Sequence, residues 1–289
     1  MVDAPAEPGA TINDDTFVYR VVPRARFYAH LDGSSNLLPH PMSWEDPLDG
    51  FVFNTKLSDS SDRWKALRFS PANVFCQCWT LAKRSDAMWR IYSPNTDSLR
   101  IRTTVGVLRD KTQELLKGRM RAEVFVRPVK YVTDMELATR FSRLMNPAVE
   151  PILAEGPEER SDLERIAQML LIKRLVFKHE NEVRLIVAIP GAPLTEKTLV
   201  KEIGGNRFLD LGFKAASYID QVFVDPRVPP PLAEVEKEII RKRASFLNRL
   251  DNPKSRVMRS MLYAKPTSIE GGIEEIRRRA ARIKRREVD

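Results

Sequence analysis

The chain has 289 residues, 43% of them hydrophobic and 30% charged, enough apolar material to bury a substantial core and to exclude wholesale disorder. Its net charge of +9 admits nucleic acid, acidic proteins or phosphate-bearing small molecules as partners. No stretch approaches the roughly 18 to 20 apolar residues of a membrane helix. The opening MVDAPAEPGATINDD is acidic and Pro/Ala-rich where a signal peptide would be basic and then apolar, so a cytoplasmic protein with no membrane partner is expected.

In chain order, residues 1–15 read as a disordered leader, and aromatic and β-branched residues before Pro23 predict a first strand over Phe17–Val22. From there to Ser70 the chain reads as loop-rich, with turn chemistry at His40-Pro41, Asp46-Pro47 and Asp49-Gly50 and a short strand around Phe51 and Phe53. A stronger strand is expected over Asn73–Thr80. After it, Ser85–Tyr92 sets Met88, Trp89 and Tyr92 at helical spacing, where packing in the core is the ordinary use of such a face. Strands follow around Leu99–Leu108 and Ala122–Val132, separated by a short helix, and then an amphipathic helix over Asp134–Met145. Past the loop NPAVEPILAEGPEE, Ser161 with Glu164 has capping-box spacing ahead of a helix over Asp162–Lys173.

The segment Val176–Ile189 reads as one strand, with Val183, Leu185, Val187 and Ile189 on one face and Glu180, Glu182 and Arg184 on the other. Two further strands, near Phe208–Phe213 and Tyr218–Val224, precede the Pro229-Pro230-Pro231 run, which no central strand accommodates. The expected organisation is therefore an α+β main domain over 16–228 and a basic helical C-terminal extension over 229–289. The domain is expected to hold mixed, mostly antiparallel sheets with flanking helices, as two small sheets forming a cleft. The extension, with helices over Leu232–Leu250 and Ile273–Arg286, is either a solvated tail or a contact for nucleic acid or protein. Cys76 and Cys78, two apart on one strand, read as reduced packing residues.

No GxGxxG, GxxxxGK[ST], HExxH or GxSxG motif occurs, which removes the standard nucleotide and hydrolase sites. Three histidines, His30, His40 and His179, and no CxxC pair give no zinc-ligand pattern, so no metal site is assigned. Glu180 and Glu182 stand out, because only a strand aims carboxylates at i and i+2 into one cleft. The same spacing also fits a solvated strand face, or an ion pair of Glu182 with Arg184.

Several short motifs resemble a bacterial group known only as domain of unknown function 2971. They are Tyr19-Arg20 on the first strand, an Asp-Pro followed by an acid in WEDPLDG, Cys78-Trp79-Thr80, Met88-Trp89 with Tyr92, and a lysine-bearing helix leading into Glu180-Asn181-Glu182-Val183-Arg184. That group usually has a serine where Thr80 stands and a histidine where this chain has Ile91. A second resemblance supplies a function. Tyr-Arg on an early strand, a hydroxyl after a middle one and Glu-x-Glu opening a late one is similar to the Arg-Ser-Glu arrangement of ADP-ribosyltransferases, which fold as two small sheets with NAD between them.

That resemblance implies NAD as the substrate. Arg20 would hold its phosphates beside Tyr19, Thr80 would orient the site, and Trp89 and Tyr92 would stack on nicotinamide or adenine. Glu182 would stabilise the oxocarbenium-like state, and Glu180 would activate a protein, nucleic-acid or water acceptor. The setting would be a bacterial toxin or phage-defence effector. Two alternatives stand beside it. One is a Mg²⁺-dependent nuclease using Asp46 or Asp49 with Glu180 and Glu182, against which the lack of an acid-x-Lys pair counts. The other is a non-enzymatic binding module for nucleic acid or protein that acts through the basic C-terminal helices.

Overall fold

In a computed structural model of the chain, described over residues 11–33, 35–46, 48–49, 56–58, 64–66, 73–144, 160–190 and 199–263, seven strands form one sheet. The strands, in chain order, are β1 (Phe17–Pro23), β2 (Leu37–Pro39), β3 (Lys56–Ser58), β4 (Trp64–Ala66), β5 (Asn73–Thr80), β6 (Ser98–Thr104), β7 (Glu123–Pro128), β8 (Lys130–Val132), β9 (Ile172–Arg174), β10 (Glu182–Ile189), β11 (Val200–Ile203), β12 (Asn206–Asp210), β13 (Gln221–Val224) and β14 (Val257–Arg259). The large sheet runs β14-β13-β6-β1-β5-β10-β7. Its pairs are antiparallel except β13 with β14. Small sheets β11-β12-β2, β3-β4 and β8-β9 accompany it. The helices are α1 (Arg24–Gly33), α2 (Asp86–Tyr92), α3 (Val105–Leu116), α4 (Asp134–Leu144), α5 (Arg160–Met169) and α6 (Pro230–Arg243). The architecture is α+β, as the sequence predicts, and no described helix is long and apolar enough to cross a membrane.

Both faces of the sheet are covered. Val18, Phe75, Trp79, Leu99, Ile101, Val183, Leu185 and Val187 point into one core. Val74, Cys76, Phe125 and Ile186 point into a second, closed by Leu163, Ile166 and Leu170 from α5 and its end. Burial on both sides explains why β5 and β10 are near-continuous apolar runs. One junction in the sheet is unlike the others. β5 is paired to β10 over eight positions and β1 to β6 over seven, yet β1 and β5 meet at one position, Tyr19 opposite Thr80. The sheet is thus two leaves, β14-β13-β6-β1 and β5-β10-β7, hinged on one rung.

Several expectations are corrected. The stretch after Pro23 is not all loop: α1 forms there, burying Phe27 and His30 three residues apart, a stripe too sparse to stand out in the sequence. The strand expected over Leu99–Leu108 ends at Thr104, whose side chain caps α3 by accepting the Val107 N–H at 3.3 Å. The helix expected to reach Lys173 ends at Met169, and Ile172–Arg174 pairs with β8 instead. The strand expected from Val176 begins only at Glu182, because Leu175–Glu180 forms a 3-10 turn closed by Asn181 in the left-handed region at φ 43°. β14 adds a parallel edge that the sequence reading omitted. Residues 11–15 of the expected leader are tied down: Asp14 pairs with Arg109 at 2.6 Å, and its carbonyl accepts the Gly106 N–H at 2.9 Å. Cys76 and Cys78 are free thiols. The strand expected at Phe51 and Phe53, the loop 146–159 and the helix expected over Ile273–Arg286 lie outside the described residues.

Candidate active site

Across the large sheet one row of side chains runs Gln221, Arg102, Tyr19, Thr80, Glu182, each opposite the next on neighbouring strands. Facing residues of an antiparallel pair share a side, so Thr80 and Glu182 project together at the open end of β5 and β10. Glu180 arrives by a different route from the one expected. It ends the 3-10 turn, and the left-handed Asn181 turns the chain so that both carboxylates still converge. They meet on Lys173, whose Nζ lies 2.5 Å from Glu180, 3.3 Å from Glu182 and 3.2 Å from Asp49.

Arg184, fully buried, completes the cluster. Its Nε donates to Glu182 at 2.8 Å, one terminal nitrogen to Glu182 and Asp49 at 3.0 Å each, and the other to the Leu170 carbonyl at 2.6 Å. Its guanidinium stacks on Trp44, 4.4 Å from the ring centroid. The ion pair of Glu182 with Arg184, one of the readings of the i, i+2 spacing, is therefore present. Burial pushes the Glu182 carboxyl up, but Arg184 and then Lys173 outweigh it and bring it down to about 2. Burial likewise opposes the charges on Lys173 and Arg184, and the facing carboxylates outweigh it and raise both. Glu182, Lys173 and Arg184 are thus held in their charged forms, in a geometry that repays desolvation only because nearly every donor has an acceptor.

Hydroxyl groups finish the arrangement. The Thr80 hydroxyl donates to the Glu180 carbonyl at 2.5 Å and accepts the Ala82 N–H at 3.0 Å, so it fixes the backbone that presents Glu180. Tyr92 donates to the Glu180 carboxylate at 3.1 Å, and the Tyr131 oxygen accepts the Glu182 N–H at 2.8 Å. Burial first, then the Glu180 charge, raises the Tyr92 phenol. Tyr92 is 43% exposed, whereas Glu180, to which it donates, and Glu182 are both buried, so Tyr92 alone of the three faces solvent.

The other expected residues fall elsewhere. Arg20 follows Tyr19 and so projects from the opposite side of β1. Burial lowers its guanidinium, and its charge acts on Tyr218, Cys78 and His30. It has no carboxylate within ion-pair distance among the described residues. The convergence of Arg20 with Thr80 and Glu182 on one side is not what the fold makes, because strand alternation separates adjacent residues. Tyr19 and Trp89 are 3% and 1% exposed and close over Arg100, at 4.8 and 5.6 Å, so neither ring has a face free for a ligand. Arg100 also lies over Phe223 and donates to the Lys83 carbonyl, and burial brings it down to about 10. Of the nuclease set, Asp46 pairs with Arg174 at 3.1 Å, and the place among Asp49, Glu180 and Glu182 where Mg²⁺ was expected is held by the Lys173 ammonium. Among the described residues no group of three or more His, Cys, Asp or Glu is set to hold a metal ion.

Lys173 and Tyr131 are the members whose place in the cluster the sequence reading does not assign, and it groups Asp49 with Glu180 and Glu182 only in the nuclease alternative. Lys173 follows the run Met169, Leu170, Leu171, Ile172 but stands next to Arg174, so nothing local marks it as the buried one of the two.

Fold and site together define an α+β protein on a hinged antiparallel sheet, with a buried acid–lysine–arginine cluster beside the hinge rung. No family model matches the sequence, and no curated protein matches it. Among solved structures, the chain is similar to Thermus sp. 2.9 DarT in complex with ADP-ribosylated ssDNA, with a TM-score of 0.34 and 12% identity, over 87% of this chain and 97% of that one. It is also similar to Thermus sp. 2.9 DarT in complex with NAD+, with a TM-score of 0.30 and 12% identity, over 86% of this chain and 98% of the other.

Proposed function

We propose that the chain cleaves the nicotinamide–ribose bond of NAD and passes ADP-ribose to an acceptor, with Glu180 as the carboxylate that meets the substrate. The observation that carries this reading is the meeting of Glu180, Glu182 and the Tyr92 hydroxyl around Lys173, beside Thr80 on the hinge rung. Departure of neutral nicotinamide leaves positive charge on the ribose, which a fixed carboxylate stabilises best when it needs no reorganisation. Glu182 is so fixed, and by anchoring Lys173 it sets the Glu180 carboxylate in turn. Glu180, buried beside the exposed Tyr92, takes the proton from the acceptor as its oxygen or nitrogen attacks the ribose C1′, a contribution of about 10²- to 10⁴-fold. Tyr92 gives up its hydrogen bond to Glu180 when substrate enters. Arg20, which pairs with no carboxylate among the described residues, is the phosphate contact in this reading, reached around the single rung where the two leaves part.

The test is release of nicotinamide from labelled NAD in the presence of cell lysate. Glu180→Gln is expected to lower it about 100-fold or more, with some loss of stability because Lys173 keeps only two of its three carboxylate partners, and Arg20→Ala to raise the NAD concentration needed. Unchanged turnover in Glu180→Gln refutes the assignment. A second reading rests on Glu182 being taken up by Arg184 and Lys173: the cluster then serves only to hold α5, β9 and β10 together. In that case Glu182→Gln lowers stability while no variant of the cluster affects any NAD reaction.

A further inference from the structure

Helix α2 is fastened to one leaf of the sheet and touches the acid of the other. Its Trp89 packs on Arg100 of β6, whose guanidinium also lies over Tyr19 of β1 and Phe223 of β13. Arg227, just past β13, ties down its last turn. That guanidinium donates to the Trp89 carbonyl at 2.9 Å and to the Ser93 carbonyl, while the Asp225 carboxylate holds it at 2.7 and 3.0 Å. Ser98 of β6 adds a hydroxyl donor to the Tyr92 carbonyl at 3.1 Å. At the first turn, the Asp86 carboxylate accepts from Tyr263, beyond β14, and pairs with Arg90 of the same helix at 2.7 Å. The supports from outside α2 thus stand on, or directly follow, strands of the β14-β13-β6-β1 leaf.

Tyr92, at the end of this helix, donates across to Glu180 at 3.1 Å. Glu180 stands with the other leaf: its carbonyl accepts the Thr80 hydroxyl of β5, and β10 begins two residues on. The bond between them therefore joins two leaves that the sheet itself joins at the single rung of Tyr19 and Thr80. On the opposite side one core runs under both leaves, from Val18, Leu99 and Ile101 to Phe75, Trp79 and Val183. On the side of Glu180 the second core draws, among the described residues, on β5, β7 and β10 and on no strand of the first leaf. A parting of the leaves opens on the side of the acid.

Resting on the reading above, we infer that Tyr92 is a latch between the leaves, closed in this structure and opened by NAD, and that Arg227 is the positioning residue that sets it. Glu180 cannot meet a substrate while its carboxylate is taken by the Tyr92 hydroxyl, so latch and substrate compete, and the apparent affinity for NAD falls with the fraction of molecules that are open. Arg227 acts only through α2. Its planar fork answers two carbonyls at the helix end and a buried carboxylate at once, which the point charge of a lysine does less well.

The experiment takes two readouts on the full chain: the NAD concentration that gives half-maximal nicotinamide release, and amide hydrogen exchange of residues 86–93 and 175–181. Tyr92→Phe keeps the ring and removes the latch, so that concentration should fall about tenfold, the worth of one hydrogen bond to a charged acceptor, at an unchanged maximal rate. Exchange at 175–181 should quicken. Arg227→Lys keeps a cation beside Asp225 and should shift both readouts the same way, with faster exchange at 86–93 as well. Added to Tyr92→Phe, it should loosen 86–93 and change nothing else, because the latch through which it acts is gone. Tyr263→Phe, which leaves Asp225 paired, provides the same comparison from the other end of the helix. An NAD requirement that is unchanged or higher in Tyr92→Phe overturns the inference. So does an Arg227→Lys effect on exchange at 175–181 that is absent in the parent or persists in full without the Tyr92 hydroxyl, since Arg227 then only supports the fold. If no variant cleaves NAD while exchange at 175–181 follows the pattern above, the enzymatic reading fails and the latch stands. If NAD is cleaved and neither readout responds, the latch falls and the enzymatic reading stands.

Discussion

Replacing Arg184 with methionine tests the electrostatic account of the site most directly. The guanidinium is fully buried and makes hydrogen bonds to Glu182, Asp49 and the Leu170 carbonyl. Methionine fills much of the volume but leaves three carboxylates facing the single charge of Lys173, which stands 3.3 Å from Glu182 and 3.2 Å from Asp49. Stripping one partner from a buried pair costs about 3–5 kcal/mol, and the lost stack on Trp44 adds about 1 kcal/mol. Against a typical total of about 5–15 kcal/mol, this brings the fold near its limit. Urea unfolding should show a large fall in midpoint at constant slope. The pH dependence should change as well. In the parent, the Glu182 carboxyl is depressed from its ordinary 4.5 to about 2, so its contribution is complete above pH 4.5 and is lost as pH falls toward 2. At about 1.4 kcal/mol per unit it amounts to about 3 kcal/mol. In Arg184→Met, burial acts with far less opposition and lifts that carboxyl, so protonation relieves it and stability should rise as pH is lowered from 7 toward 5. Adding Glu182→Gln to Arg184→Met should recover part of the loss. A cost below about 1 kcal/mol, or an acid limb like that of the parent, refutes the reasoning, since it would mean that the cluster is solvated.

Two smaller changes probe the supports of the site, and a third the packing of residues 11–15. Thr80→Val removes both the donor to the Glu180 carbonyl and the acceptor of the Ala82 N–H, and should cost about 2 kcal/mol or more in urea melts, whereas Thr80→Ser keeps both and should stay within about 1 kcal/mol. Tyr131→Phe leaves the Glu182 N–H without its acceptor and should cost about 1–3 kcal/mol by the same measurement. Gly106→Ala would set a methyl 2.9 Å from the Asp14 Cβ and 3.1 Å from its carbonyl oxygen, so a loss of about 1–3 kcal/mol is expected, read as a lower Tm. A Tm equal to the parent's would mean that residues 11–15 give way freely.

Periodicity along the chain was enough to place β1, β5, α2 and β10 from Glu182 onward, because each carries its signal within a few neighbours: aromatic and β-branched runs, a Ser85 cap, alternating Val183, Leu185 and Val187. The Glu180–Glu182 spacing likewise drew attention to the region of the charged cluster without any long-range knowledge. The details that decide its chemistry were not local. Asn181 turning into the left-handed region moved Glu180 off the strand, although an unbroken β pattern fitted the same letters. Strand alternation set Arg20 on the far side of β1 from Glu182, which a motif order cannot express. Asp49 and Lys173 are distant in sequence from each other and unremarkable alone, and Arg184 was legible only as a partner of Glu182. Only folding removes them from water together, and it is that removal, more than their identity, that makes each charge require the others.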